Sequence, residues 1–325
     1  MKKKHVLITG GAGFIGSNLV SDQLAKGHEV CVIDNLVTGR ISNIESHLKN
    51  PALRFIQADI VECKNLSEVV EWADWIFHMA ASVGQRYVLS HPVSTLSNNI
   101  CSCEMILKAM SEFNPQARLL IASTSELYCK SRENLDGTVS EDAIISIHSE
   151  NFLQDTYPVG KLVNEVMAQA FSYEKNLSCT VARIFNTIGI NQTSAYGMVV
   201  PTFIKQALNH QPITVYGDGL QSRSFVDVRD TVRALDLLLE NSASKGEIVN
   251  VGNDEECSIL DLASLIKKKT NSPSEIIHLS YQEAYGVPFQ DVRRRKPDLK
   301  KLKHLTGYQK HWTLEDTIDS ILEQM

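Results

Sequence analysis

The chain has 325 residues, 43% of them hydrophobic and 22% charged, with a formal net charge of −6. At about 150 residues per domain this is two domains, or one large α/β unit with an elaborated end, and its core needs neither disulfides nor a metal. Disorder, collagen-like repeats and small disulfide scaffolds are excluded, and 32 Lys+Arg against 38 Asp+Glu leaves no overall basic field for nucleic acid.

The first predicted strand, His5 to Thr9, follows Met1-Lys2-Lys3-Lys4. Its apolar run breaks at Thr9-Gly10-Gly11, too early for a signal peptide, and no stretch approaches the roughly 18 apolar residues of a membrane span. A cytoplasmic protein with no membrane partner is expected. Thr9-Gly10-Gly11-Ala12-Gly13-Phe14-Ile15-Gly16 then opens a helix predicted over Ile15 to Lys26. Small residues there let the backbone approach a pyrophosphate, whose charge faces the free N–H groups of a helix N-terminus. The next strand, Glu29 to Asp34, ends on a carboxylate suited to the adenosine ribose hydroxyls and repulsive to a 2′-phosphate, so the expected cofactor is NAD.

A strand over Leu53 to Ala58 is followed by Asp59-Ile60, where Asp59 can reach an adenine edge or cap the segment after it. A helix over Leu66 to Trp72 leads to a strand over Trp75 to Ala80. It ends in His78-Met79-Ala80-Ala81, where small residues leave room for the cofactor and His78 reads as a satisfied, sheet-buried histidine. After a helix over Thr95 to Glu112 comes a strand over Arg118 to Ser123, with Thr124 and Glu126 at its end. The loop from Lys130 to Thr156 reads as a lid or substrate-selecting segment. A helix over Tyr157 to Glu174 places Tyr157 and Lys161 four apart on one face. If the strand end borders the same crevice, hydroxyl, carboxylate, phenol and ammonium converge. A phenol becomes a useful base once a cation stabilises its phenolate.

A strand over Cys179 to Phe185 completes the first half. Unalternated apolar strands joined by amphipathic helices imply a parallel sheet covered on both faces. Beyond residue 186 the spacing predicts helices over Pro201 to Leu208, Val228 to Glu240, Ile259 to Lys269 and Leu314 to Glu323, and strands over Ile213 to Tyr216 and Glu247 to Val251. The run Lys267-Lys268-Lys269 reads as a solvated helix end, and Arg293-Arg294-Arg295-Lys296 as either a phosphate-binding loop or surface charge. Seven cysteines without a CxxC pair give no zinc-ribbon spacing, so reduced thiols and no metal are expected.

Taken together, TGGAGFIG (9–16), VIDN (32–35), STSELY (123–128), YPVGK (157–161), RIFNTIG (183–189), ITVYGDG (213–219), SRSFVDVRD (222–230) and RRRKPD (293–298) resemble the extended short-chain dehydrogenase/reductases, in their NAD-dependent nucleotide-sugar epimerase/dehydratase family. The resemblance covers essentially the whole chain. It implies an α/β fold: a Rossmann-type doubly wound parallel sheet over residues 1–185 and a smaller C-terminal α/β substrate-binding domain over 186–325, with a strand and helix around 226–252 returning to the first domain. Gly10, Gly13, Phe14, Ile15, Gly16, Asp34, Asn35, Asp59, Ile60, Met79, Ala80, Ala81, Asn99, Tyr157 and Lys161 would hold NAD. Thr124, Glu126, Tyr157 and Lys161 would be catalytic. Thr124, Asn186, Val215, Tyr216, Arg223 and Arg295 would bind a nucleoside diphosphate sugar, Arg295 being the member of its run that meets the diphosphate.

The resemblance further implies C4 oxidation of that sugar to a 4-keto intermediate. A 4-epimerase stands slightly ahead, with UDP-glucuronate decarboxylation or 4,6-dehydration using Glu126 as alternatives; an idle NAD-binding regulator or scaffold is the alternative class. Ser125 stands where TDP-glucose dehydratases carry Asp, Cys129 replaces a usual glycine, and Pro158-Val159-Gly160 is unusual in a helix turn, Pro158 being read as part of a first turn. A homodimer is expected through the helices 95–112 and 157–174, with Ile106, Met110, Val166, Met167 and Ala170 as apolar positions of their outer faces, or else facing the sheet.

Overall fold

The computed structural model describes residues 2–128, 138–147, 152–195, 197–285 and 291–325, the side chains of 85, 86 and 285 excepted. Cys129 and residues 130–137 and 148–151 of the loop preceding the helix that carries Tyr157 lie outside the described residues. The first half alternates β1 (His5–Thr9), α1 (Phe14–Ala25), β2 (Glu29–Asp34), β3 (Leu53–Gln57), α2 (Leu66–Trp72), β4 (Trp75–His78), α3 (Gln85–Ser90), α4 (Pro92–Phe113), β5 (Arg118–Thr124), β6 (Thr138–Val139), α5 (Phe152–Lys175) and β7 (Ser178–Ile184). The second half runs β8 (Thr187–Ile188), α6 (Val199–Leu208), β9 (Ile213–Tyr216), β10 (Ser222–Arg223), β11 (Val226–Asp227), α7 (Val228–Glu240), β12 (Ile248–Val251), β13 (Cys257–Ser258), α8 (Ile259–Lys269), β14 (Ile276–Leu279), α9 (Tyr281–Tyr285), β15 (Lys296–Pro297), α10 (Lys300–Thr306) and α11 (Leu314–Leu322).

Seven strands form one parallel sheet in the order β12-β7-β5-β4-β1-β2-β3. The order reverses at β1, so a crevice opens beyond the carboxyl ends of β1 and β4, the place where such sheets bind ligands. Side-chain alternation divides the core between the two faces. Val6, Ile8, Val30, Phe77 and Leu120 pack with Leu235 and Leu238 of α7, while Leu7, Ile33, Ile76, Leu119 and Ile121 pack with Ile106, Leu107 and Met110 of α4. Each fully buried aliphatic side chain contributes roughly 2 kcal/mol, so this double covering outweighs any single polar contact.

A third apolar cluster joins α6, β9, α8 and α11 through Phe203, Ile213, Leu262 and Ile318. There β9 pairs in parallel with β14, a strand without a clear sequence signal. No described helix is long and apolar enough to cross a membrane.

Two readings need correction. Ile106 and Met110 are fully buried against the sheet and present nothing outward, and Met167 packs on the same cluster, whereas Val166 and Ala170 are exposed. The helix carrying Tyr157 begins at Phe152, which puts Pro158 inside it rather than in its first turn. With no N–H, Pro158 leaves the Gln154 carbonyl without its helical donor, at a residue that lines the central cavity. Gly160 is not sterically required: an added Cβ would meet Asn99 Cβ at 3.5 Å and Leu96 Cδ1 at 3.8 Å, ordinary contacts. Gly160→Ala is therefore expected to raise the unfolding free energy by about 0.5–1 kcal/mol, the propensity difference at a helix interior, as measured by urea denaturation.

Candidate active site

A cavity of about 1220 Å³ runs from the β1–α1 loop past the ends of β4 and β5 to β9 and Arg295. At one end, Gly10 takes φ +71°, and a Cβ there would lie 2.7 Å from the Ala80 nitrogen, so only glycine lets β1 and β4 turn away side by side. The next residues carry the chain into α1, whose N-cap, Gly13, makes no side-chain cap bond. Gly13, Phe14, Ile15 and Gly16 line the cavity, so the helix's uncapped N-terminus faces it.

Asp34 lies across from this turn, its carboxylate accepting the Ala12 and Leu36 N–H groups at 2.9 and 2.8 Å. Burial pushes its carboxyl up, and the two N–H donors pull it partly back. Asp59 both caps the turn after β3, through the Val61 N–H at 3.0 Å, and accepts from the Asn35 amide at 2.9 Å while lining the cavity. Ile60, Met79, Ala80 and Ala81 complete this wall. An uncapped helix N-terminus facing a carboxylate across an elongated cavity fits a dinucleotide: pyrophosphate at one, ribose at the other.

At the centre, β5 ends in Thr124 and α5 brings Tyr157 and Lys161 over it. The Tyr157 hydroxyl is hydrogen-bonded to Thr124, whose Oγ1 also accepts the Glu126 N–H at 3.1 Å. Lys161 Nζ lies 6.0 Å from the centre of the Tyr157 ring and donates to the Ala122 carbonyl at 2.7 Å. Burial pushes the phenol well up, the Glu126 charge adds to this, and the Thr124 bond opposes it. Burial lowers Lys161 to about 8. It also raises Glu126, which Arg295 and Arg223 pull down and Asp291 pushes further up.

A buried ion pair sets this arrangement. Glu165, one turn beyond Lys161, receives two bonds from Arg183 of β7, at 2.9 and 2.7 Å, and one from Ser123, the residue before Thr124. Arg183 continues to the Tyr128 hydroxyl at 2.7 Å and the Glu141 carbonyl at 3.0 Å. Tyr128 donates to Asn250 at 2.8 Å. Asn250 in turn reaches the carbonyls of Val139 and Asp298, where β15 pairs with β6.

The far end is lined by Asn186, Tyr216, Arg223 and Arg295. The arginine run resolves into three roles: Arg293 pairs with Asp218, Arg294 with Glu256, and Arg295 turns inward, 3.3 Å from Asn186 Oδ1. Arg223 is nearly buried, bonded to Asp291 at 2.5 Å and to the carbonyls of Ser222 and Val292. Lys269, from the lysine run, pairs with Asp319 and Glu315 at the end of α8.

Two expected residues do not face the cavity. Val215 is fully buried in the third cluster; strand alternation turns Thr214 and Tyr216 to the cavity instead. Asn99 is also buried and braces the loop after β4, bonding the Ser82 N–H at 2.7 Å and its carbonyl at 3.3 Å. His78 is enclosed, its Nδ1 bonded to Thr9 at 2.8 Å, but Nε2 has no partner among the described residues. Burial lowers it to about 3, so it stays neutral. Residues that sequence reasoning missed include Arg40, Ser82 and Gln206, all at the cavity wall; they carry no motif, and only the tertiary fold brings them there.

Comparison with known proteins places this geometry. Residues 6–252 match the model of the NAD dependent epimerase/dehydratase family. The chain is 35% identical over 328 residues to UDP-glucuronic acid decarboxylase 1 of Xenopus tropicalis, covering 98% of this chain and 72% of that one. It is 31% identical to UDP-N-acetyl-alpha-D-glucosaminuronate decarboxylase of Bacillus cytotoxicus, covering 99% and 97%. Among solved structures it is similar to UDP-glucuronic acid 4-epimerase from Bacillus cereus in complex with UDP-glucuronic acid and NAD, at 28% identity and TM-score 0.85 over 99% of this chain and all of that one.

Lys161 makes a testable statement about pH. Its folded value, about 8, lies below the ordinary 10.5. Between the two the unfolded chain holds a proton that the folded one lacks, so this group makes stability rise with pH from about 8 to about 10.5. Urea denaturation without added nucleotide at pH 8 and pH 10 is expected to show a steeper rise for the wild type than for Lys161→Met; equal slopes would refute the depressed value.

Proposed function

The chain belongs to the NAD dependent epimerase/dehydratase family, and within it we propose that the enzyme oxidises a UDP-linked uronic acid at C4 and releases its C6 carboxylate as carbon dioxide. The observation that carries this reading is Glu126, raised by burial and coupled to Tyr157 on one side and to Arg295 and Arg223 on the other. Burial shifts Glu126 toward its neutral form, which favours a substrate carboxylate beside it, and the two arginines in the same cavity supply the charge that an anionic sugar nucleotide needs. The relatives named decarboxylases favour this over the 4-epimerase preference drawn from the motifs. Ser125 supplies no second acid beside Glu126 for 4,6-dehydration. With hydroxyl, phenol and ammonium gathered at one point, an enzyme is better supported than an idle NAD-binding scaffold.

The residues then divide the work. Residues 1–185, with α7 and β12 returning to their sheet, are assigned to the dinucleotide, and the remainder of 186–325 mainly to the sugar nucleotide. The N-terminus of α1 and Asp34 hold the dinucleotide, which when bound supplies reversible two-electron oxidation at C4. Tyr157 would take the 4-hydroxyl proton as its phenolate, which needs the Lys161 ammonium and the positive charge that an oxidised dinucleotide would supply to offset the burial that raises the phenol, while Thr124 orients the hydroxyl. A ketone at C4 makes the C6 carboxylate a β-keto acid. The C5–C6 bond breaks, its electron pair passes toward the C4 oxygen, and Thr124 and Tyr157 stabilise that oxygen by hydrogen bonds. Glu126 delivers a proton to C5, and return of the two electrons to C4 with the Tyr157 proton to its oxygen would restore the hydroxyl, so that the net loss is carbon dioxide alone. Arg223, Arg295 and Asn186 hold the diphosphate and sugar, and Tyr216 faces the base.

Incubating the protein and NAD with UDP-glucuronic acid, and separately with its N-acetylated amino analogue, tests this. A product lighter by carbon dioxide is expected from one of them. An isomer of unchanged mass would establish the epimerase reading instead, in keeping with the similarity to the Bacillus cereus enzyme. Glu126→Gln is expected to cut product formation by about 10²-fold or more, the usual scale for losing a general acid. Tyr157→Phe should remove turnover altogether.

We also propose that two copies associate through α4 and α5. Val93 and Val166 are 78% and 61% exposed and Tyr173 94%, which leaves apolar side chains on the outer sides of these adjacent helices. Light scattering is expected to give twice the chain mass, and Val166→Glu to shift it toward the monomer.

A further inference from the structure

A segment from the second half of the chain reaches back to the dinucleotide end of the cavity. After β8 the backbone turns at Gly189 and Asn191, with φ of +148° and +70°. Residues 190–193 are fastened to the first half at three points. Asn18 of α1 donates to the Ile190 carbonyl at 3.1 Å while also bonding the Phe14 carbonyl at 2.9 Å. Asn191 donates to Ser17 Oγ at 3.0 Å. Arg40, held by its own N–H to the Ala12 carbonyl at 2.9 Å, donates from its guanidinium to Thr193 Oγ1 at 3.0 Å. Gln192 ties the same segment back to the Thr187 carbonyl of β8 at 3.1 Å.

These anchors flank the two features that fit the dinucleotide. Ser17 and Asn18 follow the uncapped turn of α1, and Arg40 lies just beyond Asp34 on the loop after β2. Arg40 and Thr193 both line the cavity together with Gly13 and Asp34. Nothing in the local sequence requires residues 187–194 to touch α1, since the partners are more than 150 positions apart.

We propose that segment 190–193 is a clasp that retains the bound dinucleotide, with Arg40–Thr193 as its closing bond and Asn18 and Asn191 as its hinge-side anchors. A dinucleotide lying from Asp34 to Tyr157 passes along the N-terminus of α1, and its departure requires the Arg40–Thr193 bond to open. Retention suits the chemistry, because oxidation at C4 and the later reduction leave the cofactor unchanged and exchange is unnecessary. This inference rests on the NAD dependence of the family and not on which uronic acid, if any, the enzyme decarboxylates.

The test reads cofactor release and not turnover. Wild-type protein and the variants Thr193→Val, Thr193→Ser and Arg40→Gln are loaded with radiolabelled NAD and chased with excess unlabelled NAD. Thr193→Val is nearly isosteric and removes only the hydroxyl; Thr193→Ser keeps it. Release is expected to be about tenfold faster from Thr193→Val and Arg40→Gln, the effect of one charge-assisted hydrogen bond, and close to wild type from Thr193→Ser. Equal rates in wild type and Thr193→Val would overturn the clasp, as would Thr193→Ser releasing as fast as Thr193→Val. Should Arg40→Gln fail to fold, the two Thr193 variants decide the matter alone. A wild-type protein that binds no NAD would overturn the clasp together with the cofactor assignment, whereas a failure to decarboxylate would leave the release rates as the deciding result.

Discussion

Glu165 and Arg183 meet inside the protein through two parallel hydrogen bonds, 2% and 4% exposed, and the geometry of the site depends on that contact. It joins three elements that the sheet alone would leave free to slide. The helix carrying Tyr157 and Lys161 contributes the carboxylate, β7 the guanidinium, and β5 the Ser123 hydroxyl one residue before Thr124. Removing one member of such a pair strands a buried charge at a cost of about 3–5 kcal/mol, a large share of the margin by which a domain is stable. Through Tyr128 and Asn250 the same network reaches the β6–β15 pairing, one residue from Arg295. The helix that carries Tyr157 and the segment leading to Arg295 are thus held by one set of buried polar bonds.

Charge within the cavity is balanced rather than simply positive. Arg223 and Arg295 face Glu126 and Asp291, and Lys161 sits beside a neutral phenol. A protein with a net charge of −6 can receive an anionic ligand because these cations are concentrated and desolvated, where a given charge acts more strongly than at the surface. The same desolvation favours the neutral forms of Glu126 and Lys161. Burial, more than any one partner, tunes this site.

Much of the fold was legible in the residues. The strands at His5–Thr9 and Glu29–Asp34 and the helices at Val228–Glu240 and Ile259–Lys269 have the predicted bounds, because apolar runs and helical periodicity are local signals. Thr124, Glu126, Tyr157 and Lys161 line one cavity, as strand-end position and the i, i+4 spacing require. The misses have a common cause. Ile106 and Met110 belong to an apolar stripe whose direction the sequence does not state, and the sheet claimed it. Asn99 carries a polar side chain that a neighbouring loop, not the cavity, satisfies.

Local residue patterns suffice for the parallel sheet, the glycine turn ending β1, the carboxylate ending β2 and the placing of Tyr157 and Lys161 on one helix face. Each of these is set by residues within one or two turns of each other. The tertiary structure alone decided which of three consecutive arginines points inward, which face of β9 meets the cavity, and that residues 190–193 return to α1. Alternation does separate Val215 from Tyr216, but only packing against α6 and α8 says which side is the core. Those choices are made by partners far away in the chain, whose burial energies no local pattern records.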